Sequence, residues 1–190
     1  KRGSQLMLTV GIDPGKQGAV CFSVDGKPVY VAKVPTVKAG SKKEYDVAGM
    51  AQLLSFGVTE VFRLGMGEYE KPALVVIERT QGGGGGLAKG ATAAHSIGRS
   101  SGLWQGMCIG KNWAAVLVRP VDRQRLMFAG VPGQSKAAGK GRSILAAGQL
   151  FPDWVQEGGL MRNSRCRKPD DNYADAALLA SYGHRLLLCQ

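Results

Sequence analysis

Five acidic residues fall where carboxylates could act together on a bound cation. Two of them end apolar runs typical of buried strands, and three open an apolar stretch typical of a helix: Asp13, Glu78, Asp170, Asp171 and Asp175. Clustered carboxylates repel one another, and a divalent cation that prefers oxygen ligands relieves that repulsion. Because the chain has only 14 Asp and Glu residues, this grouping indicates a metal site.

The two acids at strand ends also have simpler explanations. Asp13 precedes Pro14-Gly15, so its carboxylate could anchor a turn. Glu78 could pair with the adjacent Arg79. A carboxylate at the end of an inner strand is costly to bury unless it is paired or bound to a cation. The residues alone leave both roles open for Asp13, turn anchor and metal ligand.

Helix chemistry explains the three acids of the last helix unequally. Asp170 and Asp171 lie at its first turn, where negative charge complements the helix dipole. Asp175 lies one turn further in, ahead of the apolar residues 176–180 that must pack on a sheet. Asp171 and Asp175 are four residues apart and share a helix face, which Asp170 can join only from the start of the helix. The dipole leaves Asp175 unexplained, so we favour the metal interpretation.

The elements that must position these acids follow from hydrophobic periodicity and turn residues. Asp25-Gly26 is a strong hairpin signal between the second and third strands. The pattern predicts strands over 6–13, 18–24, 27–35, 73–78 and 114–119. It predicts helices over 47–56, 58–70, 91–109, 121–128, 136–150 and 169–188, and loops at 38–43, 79–90 and 155–168. This order predicts an α/β fold in a single domain, residues 1–190.

The composition points to a polyanionic partner. The chain has 25 Lys and Arg residues and a net charge of +11, and such an excess favours nucleic acid, although a basic protein without that partner is the simpler alternative. Hydrophobic residues make up 44% of the chain, which argues against general disorder, and no apolar run is long enough for a membrane span. The four cysteines form no CxxC pair, which argues against zinc and fits a reducing compartment.

Taken in order, the acidic motifs resemble those of RuvC-type Holliday junction resolvases, members of the RNase H-like superfamily. The matching segments are Gly11-Ile12-Asp13-Pro14-Gly15 with Gly18-Ala19, then Val76-Ile77-Glu78, then residues 170–180. The resemblance implies an RNase H-like α/β fold. Its five-stranded mixed sheet, with the first three strands antiparallel, would be flanked by helices.

A closer resemblance is to the chloroplast branch, the monokaryotic-chloroplast resolvases. Those chains have a glycine-rich loop followed by Gly-Leu-Trp, seen here as Gly102-Leu103-Trp104, and a later Ser-Lys pair, seen as Ser135-Lys136. Pro120 also fits, whereas Gln124-Arg125 stands where Trp-Lys is expected. The final acid of that branch is usually Glu, and here it is Asp175.

The resemblance implies an endonuclease with two Mg²⁺ ions per site, for which Mn²⁺ is a substitute. Its metal ligands would be Asp13, Glu78, Asp170 and Asp175, and the choice between Asp170 and Asp171 stays open. Lys136 and Arg125 could neutralise charge on the reacting phosphate. The catalytic set is then Asp13, Glu78, Asp170, Asp171, Asp175 and Lys136. The predicted DNA contacts are Gln81, Lys89, Arg125, Lys136, Lys140, Arg142, Arg165, Arg167 and Lys168.

The implied substrate, a four-way DNA junction, needs two opposed nicks. One acidic cluster offers one nick, so the resemblance implies a homodimer. The helix predicted over 91–109 is our candidate for part of the dimer face. The glycine-rich loop at 79–90 could enter the junction centre, because glycines let backbone approach nucleic acid closely. A plain connector is the alternative for that loop.

Other functions use related folds and stay open at this stage. One is a non-catalytic junction-binding module, which the intact acids disfavour. Another is a nuclease such as ribonuclease H that acts on a different nucleic acid. A kinase-like ATPase also opens with a strand ending in Asp, but it needs a second lobe for which 190 residues are too few. We expect no membrane association and no small-molecule cofactor.

The compartment is a further expectation from the same resemblance. The chain begins at Lys1 without Met, which is consistent with a trimmed or processed product. Richness in Ala, Gly and Arg together with the chloroplast resemblance favours a chloroplast nucleoid. A bacterial or phage-infected cell is the alternative.

Overall fold

The computed structural model describes residues 6–79, 91–131, 139–163, 165–166 and 168–189, with the backbone alone at 91–97 and 139–140. Seven strands are described: β1 (Leu8–Ile12), β2 (Ala19–Val24), β3 (Lys27–Lys33), β4 (Thr36–Ala39), β5 (Lys42–Tyr45), β6 (Leu74–Glu78) and β7 (Ala115–Val118). In this part of the chain, a five-stranded sheet has the order β3-β2-β1-β6-β7, and β4 and β5 form a second sheet.

The five-stranded sheet is mixed. β1 pairs antiparallel with β2, and β2 pairs antiparallel with β3. β6 runs parallel to both of its neighbours, β1 and β7. The turn Asp25-Gly26 joins β2 to β3, and its φ angles of 48° and 74° are those that the hairpin signal requires. The predicted five-stranded mixed sheet, with its first three strands antiparallel, is confirmed.

Helices cover both faces of this sheet. Six are described: α1 (Val47–Arg63), α2 (Ala91–Gly110), α3 (Pro120–Met127), α4 (Gly139–Leu150), α5 (Pro152–Gln156) and α6 (Asp171–Leu188). One core joins alternate residues of β1 and β2 to α1 and to Trp104 of α2, which is fully buried. A second core joins the remaining residues of β2 to α4 and α6. None of the helices described here is long and apolar enough to cross a membrane.

The last helix lies directly against the central strand. A Cβ atom on Gly11 of β1 would lie 2.2 Å from the Ala176 carbonyl oxygen and 2.3 Å from the Ala180 nitrogen. The Thr9 hydroxyl donates to the Ala180 carbonyl at 2.9 Å. Because no side chain separates Gly11 from α6, the backbones of helix and strand touch. This contact sets the height of α6 above the sheet.

The residues predicted as a basic loop at 38–43 belong to a hairpin. β4 and β5 pair antiparallel around a turn in which Gly40 has a φ of 61°. Its three lysines, Lys38, Lys42 and Lys43, are all exposed. A strand with polar residues on both faces has no alternating apolar pattern, and so the periodicity missed it.

The helix predicted over 58–70 is wrong beyond Arg63, because α1 is one continuous helix up to that residue. Gly57 lies within it, where a Cβ would meet the Phe22 ring at 2.1 Å. That glycine serves close packing of α1 on β2. Gly65, with a φ of 73°, follows the last turn instead. The short helix α5 also overlaps the loop predicted at 155–168.

Candidate metal centre and nucleic-acid interface

Asp13 and Glu78 leave the sheet side by side. β1 and β6 are parallel neighbours in which Ile12 pairs with Ile77, so the next residue of each strand lies at the same edge. Both side chains are half-buried there. The Gly15 N–H lies 3.5 Å from Asp13 Oδ1, which is long for a hydrogen bond. Anchoring the turn is therefore a minor role for this carboxylate.

Asp175 reaches the same edge from the helix above. It precedes Ala176, whose carbonyl lies over Gly11 near the end of β1. The Ser143 hydroxyl, on α4, donates to Asp175 Oδ1 at 2.7 Å and holds the carboxylate in place. We refer to Asp13, Glu78 and Asp175 as the edge cluster.

Burial and mutual repulsion raise the proton affinity of Asp13 and Glu78 in the edge cluster. Burial, followed by the negative charges of Asp175 and Glu78, raises the pKa of Asp13 to about 7. Burial also raises the pKa of Glu78; Arg123 opposes that change and Asp175 adds to it. Near neutral pH, Asp13 is therefore close to the point at which it takes up a proton.

A buried arginine joins two members of the edge cluster. α3 begins with Pro120 after β7, so it starts at the same edge, and Arg123 lies one turn in. Arg123 is only 3% exposed. Its Nη1 donates to Asp175 Oδ1 at 2.8 Å, and its Nε donates to Glu78 Oε1 at 3.0 Å. Burying a guanidinium is costly unless it is paired, and the two carboxylates supply the pairing.

The charges of the edge cluster do not balance. Three carboxyl groups face the single guanidinium of Arg123, so the cluster has an excess of negative charge once Asp13 gives up its proton. The donor set fits a hard divalent cation in its chemistry, since all three groups are carboxylates. Within the described ranges, however, no three His, Cys, Asp or Glu side chains are arranged so as to hold a metal ion. Arg123 takes the place between two of them.

Asp170 belongs to a separate group with Lys33 and Arg162, which we call the cap cluster. It is the N-cap of α6, and its Oδ1 accepts from the Asn172 N–H at 3.0 Å. Lys33 Nζ lies 2.8 Å from Oδ2, and Arg162 contacts the same oxygen. Burial opposes ionisation of Asp170, but hydrogen bonds from Lys33, Arg162 and Asn172 outweigh it and lower the pKa to about 2. The structure thus places Asp170 with two cations and outside the edge cluster, and its role as a metal ligand stays a prediction.

Asp171 lies between the two clusters along the chain. It is half-buried and four residues before Asp175, on the same face of α6. Asn172 Nδ2 contacts its Oδ1 at 3.4 Å. Position alone keeps Asp171 as a candidate beside the edge cluster.

The predicted DNA contacts that the structure describes are surface cations. Arg125, Arg165 and Lys168 are exposed, and Arg142 is half-buried, with its guanidinium carbon 4.9 Å from the centre of the Phe128 ring. Arg125 follows Arg123 by two residues, and it is Arg123 that contacts the acids. Outside the described residues lie Gln81, Lys89, Lys136 and Arg167, the side chain of Lys140 and most of the glycine-rich loop.

Sequence reasoning missed Arg123, Ser143 and Lys33. All three are single polar residues on amphipathic elements, and nothing local separates them from solvated side chains. A weak signal existed for Arg123. Arg119 pairs with Asp122 at 2.7 Å, three residues away. Asp122 is also three residues from Arg125, whereas Arg123 has no acidic residue three or four positions away in the sequence.

The fold of this chain is similar to that of solved RuvC structures. The structure is similar to that of Thermus thermophilus RuvC, with a TM-score of 0.53 and 14% identity over 96% of this chain and 97% of that chain. It is also similar to Thermus thermophilus RuvC in complex with Holliday junction substrate, with a TM-score of 0.51 and 14% identity over 96% of each chain. At this identity the likeness shows the fold. No protein-family model matches the sequence, and no curated protein matches it significantly.

Proposed function

We propose that this chain is a divalent-metal-dependent endonuclease that makes paired nicks in four-way DNA junctions. The edge cluster is the observation that supports the proposal. Asp13, Glu78 and Asp175 meet at one sheet edge, where the single guanidinium of Arg123 is the counter-charge for three carboxyl groups. They do so in a fold similar to a protein seen with Holliday junction substrate. The three acids would hold Mg²⁺, with Asp171 as a further candidate. The bound ion would supply the positive charge that phosphodiester hydrolysis requires.

The chain's own cations would bind the DNA phosphates. The hairpin of β4 and β5 carries three exposed lysines, and its base is fastened beside the site, because the Tyr45 hydroxyl donates to the Pro14 carbonyl at 3.2 Å. Lys16 Nζ adds a contact to the Lys43 carbonyl at 2.6 Å. DNA lying along these lysines would pass close to Asp13. Arg125, Arg142, Arg165 and Lys168 are further phosphate contacts in this proposal.

Paired nicks require two copies of the site, and α2 is the proposed dimer face. Trp104 belongs to the core, and Leu103 and Met107 pack partly against it, whereas Ile109 is 78% exposed. Four glycines repeat at intervals of four residues on α2, and a Cβ on any of them would meet nothing within 4 Å: Gly98, Gly102, Gly106 and Gly110. A second copy could approach the helix backbone closely along that row.

The direct test is incubation with a mobile four-way junction in Mg²⁺, with EDTA, linear duplex and RNA–DNA hybrid as comparisons. We expect symmetric nicks in the junction and none in the duplex. Asp13→Asn should bind the junction without nicking it. A supercoiled cruciform plasmid should yield linear product first, because both nicks fall within one dimer.

The competing functions give different outcomes. Junction binding without nicking by the wild-type chain would favour a non-catalytic module. Hydrolysis of the hybrid with the junction intact would favour a ribonuclease H activity. Light scattering that shows a monomer, with and without junction, together with nicked circles alone would favour a simple nickase. The chloroplast location stays a prediction, to be checked by localising the tagged protein.

A further inference from the structure

Arg123 occupies the position in the edge cluster that a metal ion would compete for. It bridges Glu78 on β6 and Asp175 on α6, with donor–acceptor distances of 3.0 and 2.8 Å. Its Nη2 also lies 3.0 Å from Glu78 Oε1, so two of its nitrogens serve that one carboxylate. A side chain that is 3% exposed and holds two acids from different elements is not a solvated surface cation.

The same contacts limit what else the two acids can bind. Asp175 Oδ1 accepts from Arg123 and also from Ser143 at 2.7 Å. Glu78 Oε1 accepts from Arg123 Nε and lies 3.0 Å from its Nη2. These bonds occupy one oxygen of each carboxylate, and the guanidinium would also repel a divalent ion nearby.

We propose that Arg123 is an internal counter-cation that competes with the divalent ion for Glu78 and Asp175, so that metal loading requires its guanidinium to leave at least one of them. This inference rests on the proposed function, since it takes the edge cluster to be a metal site. Arg123 would act as a positioning residue: it keeps β6 and α6 joined in the metal-free protein and sets the metal concentration at which the site fills.

Metal affinity of three matched variants tests the proposal. Arg123→Gln removes the charge and the bridge, and Arg123→Lys keeps the charge but cannot bridge two acids in the same way. Arg119→Gln, the control, removes an exposed charge at the start of the same helix. Mn²⁺ binding would be followed by the electron paramagnetic resonance of the free ion. Thermal unfolding with and without Mn²⁺ supplies a second readout, because a ligand of the folded state raises the melting temperature.

We expect Arg123→Gln to bind Mn²⁺ at least about tenfold more tightly than the wild type, because it removes both a competitor and a repelling charge. The affinity of Arg123→Lys should lie between those of Arg123→Gln and the wild type, and that of Arg119→Gln should match the wild type. Without metal, Arg123→Gln should have a lower melting temperature than the wild type, and added Mn²⁺ should raise its melting temperature by more. If it folds only when Mn²⁺ is present, that also supports the proposal.

Unchanged Mn²⁺ affinity in folded Arg123→Gln would overturn the proposal, and if that variant does not fold at all, unchanged affinity in Arg123→Lys would do so. Asp13→Asn separates this result from a failure of the proposed function. Affinity lost in Asp13→Asn but unchanged in the Arg123 variants rejects only the role of Arg123. Mn²⁺ affinity unaffected by Asp13→Asn rejects the metal site itself, and with it both proposals.

Discussion

The edge cluster and the cap cluster lie about one turn apart on α6, yet carboxyl groups outnumber cations in the first and cations outnumber carboxylates in the second. In the cap cluster, one carboxylate, Asp170, has two cations and an N–H, and its pKa falls to about 2. In the edge cluster, three carboxyl groups share Arg123, and burial together with the charges of Asp175 and Glu78 raises the pKa of Asp13 to about 7. The first arrangement stabilises the start of α6. The second has more carboxyl groups than cations, and under our proposal an external cation would bind there.

The largest expected effect concerns catalysis. Asp13→Asn and Glu78→Gln should each reduce junction cleavage more than about 100-fold, since even residues that only orient metal ligands contribute about 10–100-fold. Junction binding should change little, because the basic surface is intact. Gel shift and cleavage assays on the same samples measure both. Cleavage near the wild-type rate in Mg²⁺ would remove that residue from the proposed site.

The two clusters should respond in opposite directions to loss of a carboxylate charge. Asp170→Asn should lower the free energy of unfolding by about 1–3 kcal/mol, because it leaves Lys33 and Arg162 without their partner. Asp13→Asn should raise the free energy of unfolding of the metal-free protein at pH 8 by up to about 3 kcal/mol, because it removes a charge that is buried and repelled by its neighbours. Urea unfolding in EDTA measures both. Two changes of the same sign would break the contrast.

The pH dependence of stability should separate the clusters further. Between about pH 4 and 7 the folded state holds the proton of Asp13 more tightly than the unfolded chain does, so unfolding free energy should fall as pH rises through this window. For Asp170 the unfolded chain is protonated first, so its contribution is present above about pH 4 and is lost toward pH 2. Asp13→Asn should flatten only the upper window in metal-free unfolding curves. A slope there that the substitution leaves unchanged would assign it to another group, such as Glu78, whose pKa burial also raises.

The smallest expected effect lies on the hairpin of β4 and β5. Junction affinity should fall steeply with salt, because several phosphates are neutralised together. Each of Lys38→Gln, Lys42→Gln and Lys43→Gln should weaken binding modestly and reduce the salt slope by about 1. Fluorescence anisotropy of labelled junction across a salt series measures this. If a variant with all three substitutions kept the salt slope of the wild type, the DNA would not lie along this hairpin.

The sequence predicted the part of the site that strand and helix periodicity control. Asp13 and Glu78 end apolar runs, and Asp175 stands at a fixed helical spacing before one, so their convergence follows from the order of the elements. The role of Asp170 could not be decided, because capping and metal binding ask for the same residue type. Arg123 could not be singled out, because its burial depends on β6, α3 and α6 meeting in space. The hairpin of β4 and β5 was missed because its exposed lysines carry no apolar alternation.

The contact of Gly11 with α6 fixes the distance between Asp13 and Asp175, because no side chain at this position could change that distance gradually. Asp13 follows this glycine by two residues, and Asp175 precedes the carbonyl that lies 2.2 Å from the missing Cβ. Even the methyl group of alanine would have to push the helix outward, and it would carry one acid away from the other while every charge stayed in place. The gap between the carboxylates therefore cannot be adjusted in small steps at this position, and the absence of a side chain here does as much to define the site as the acids themselves.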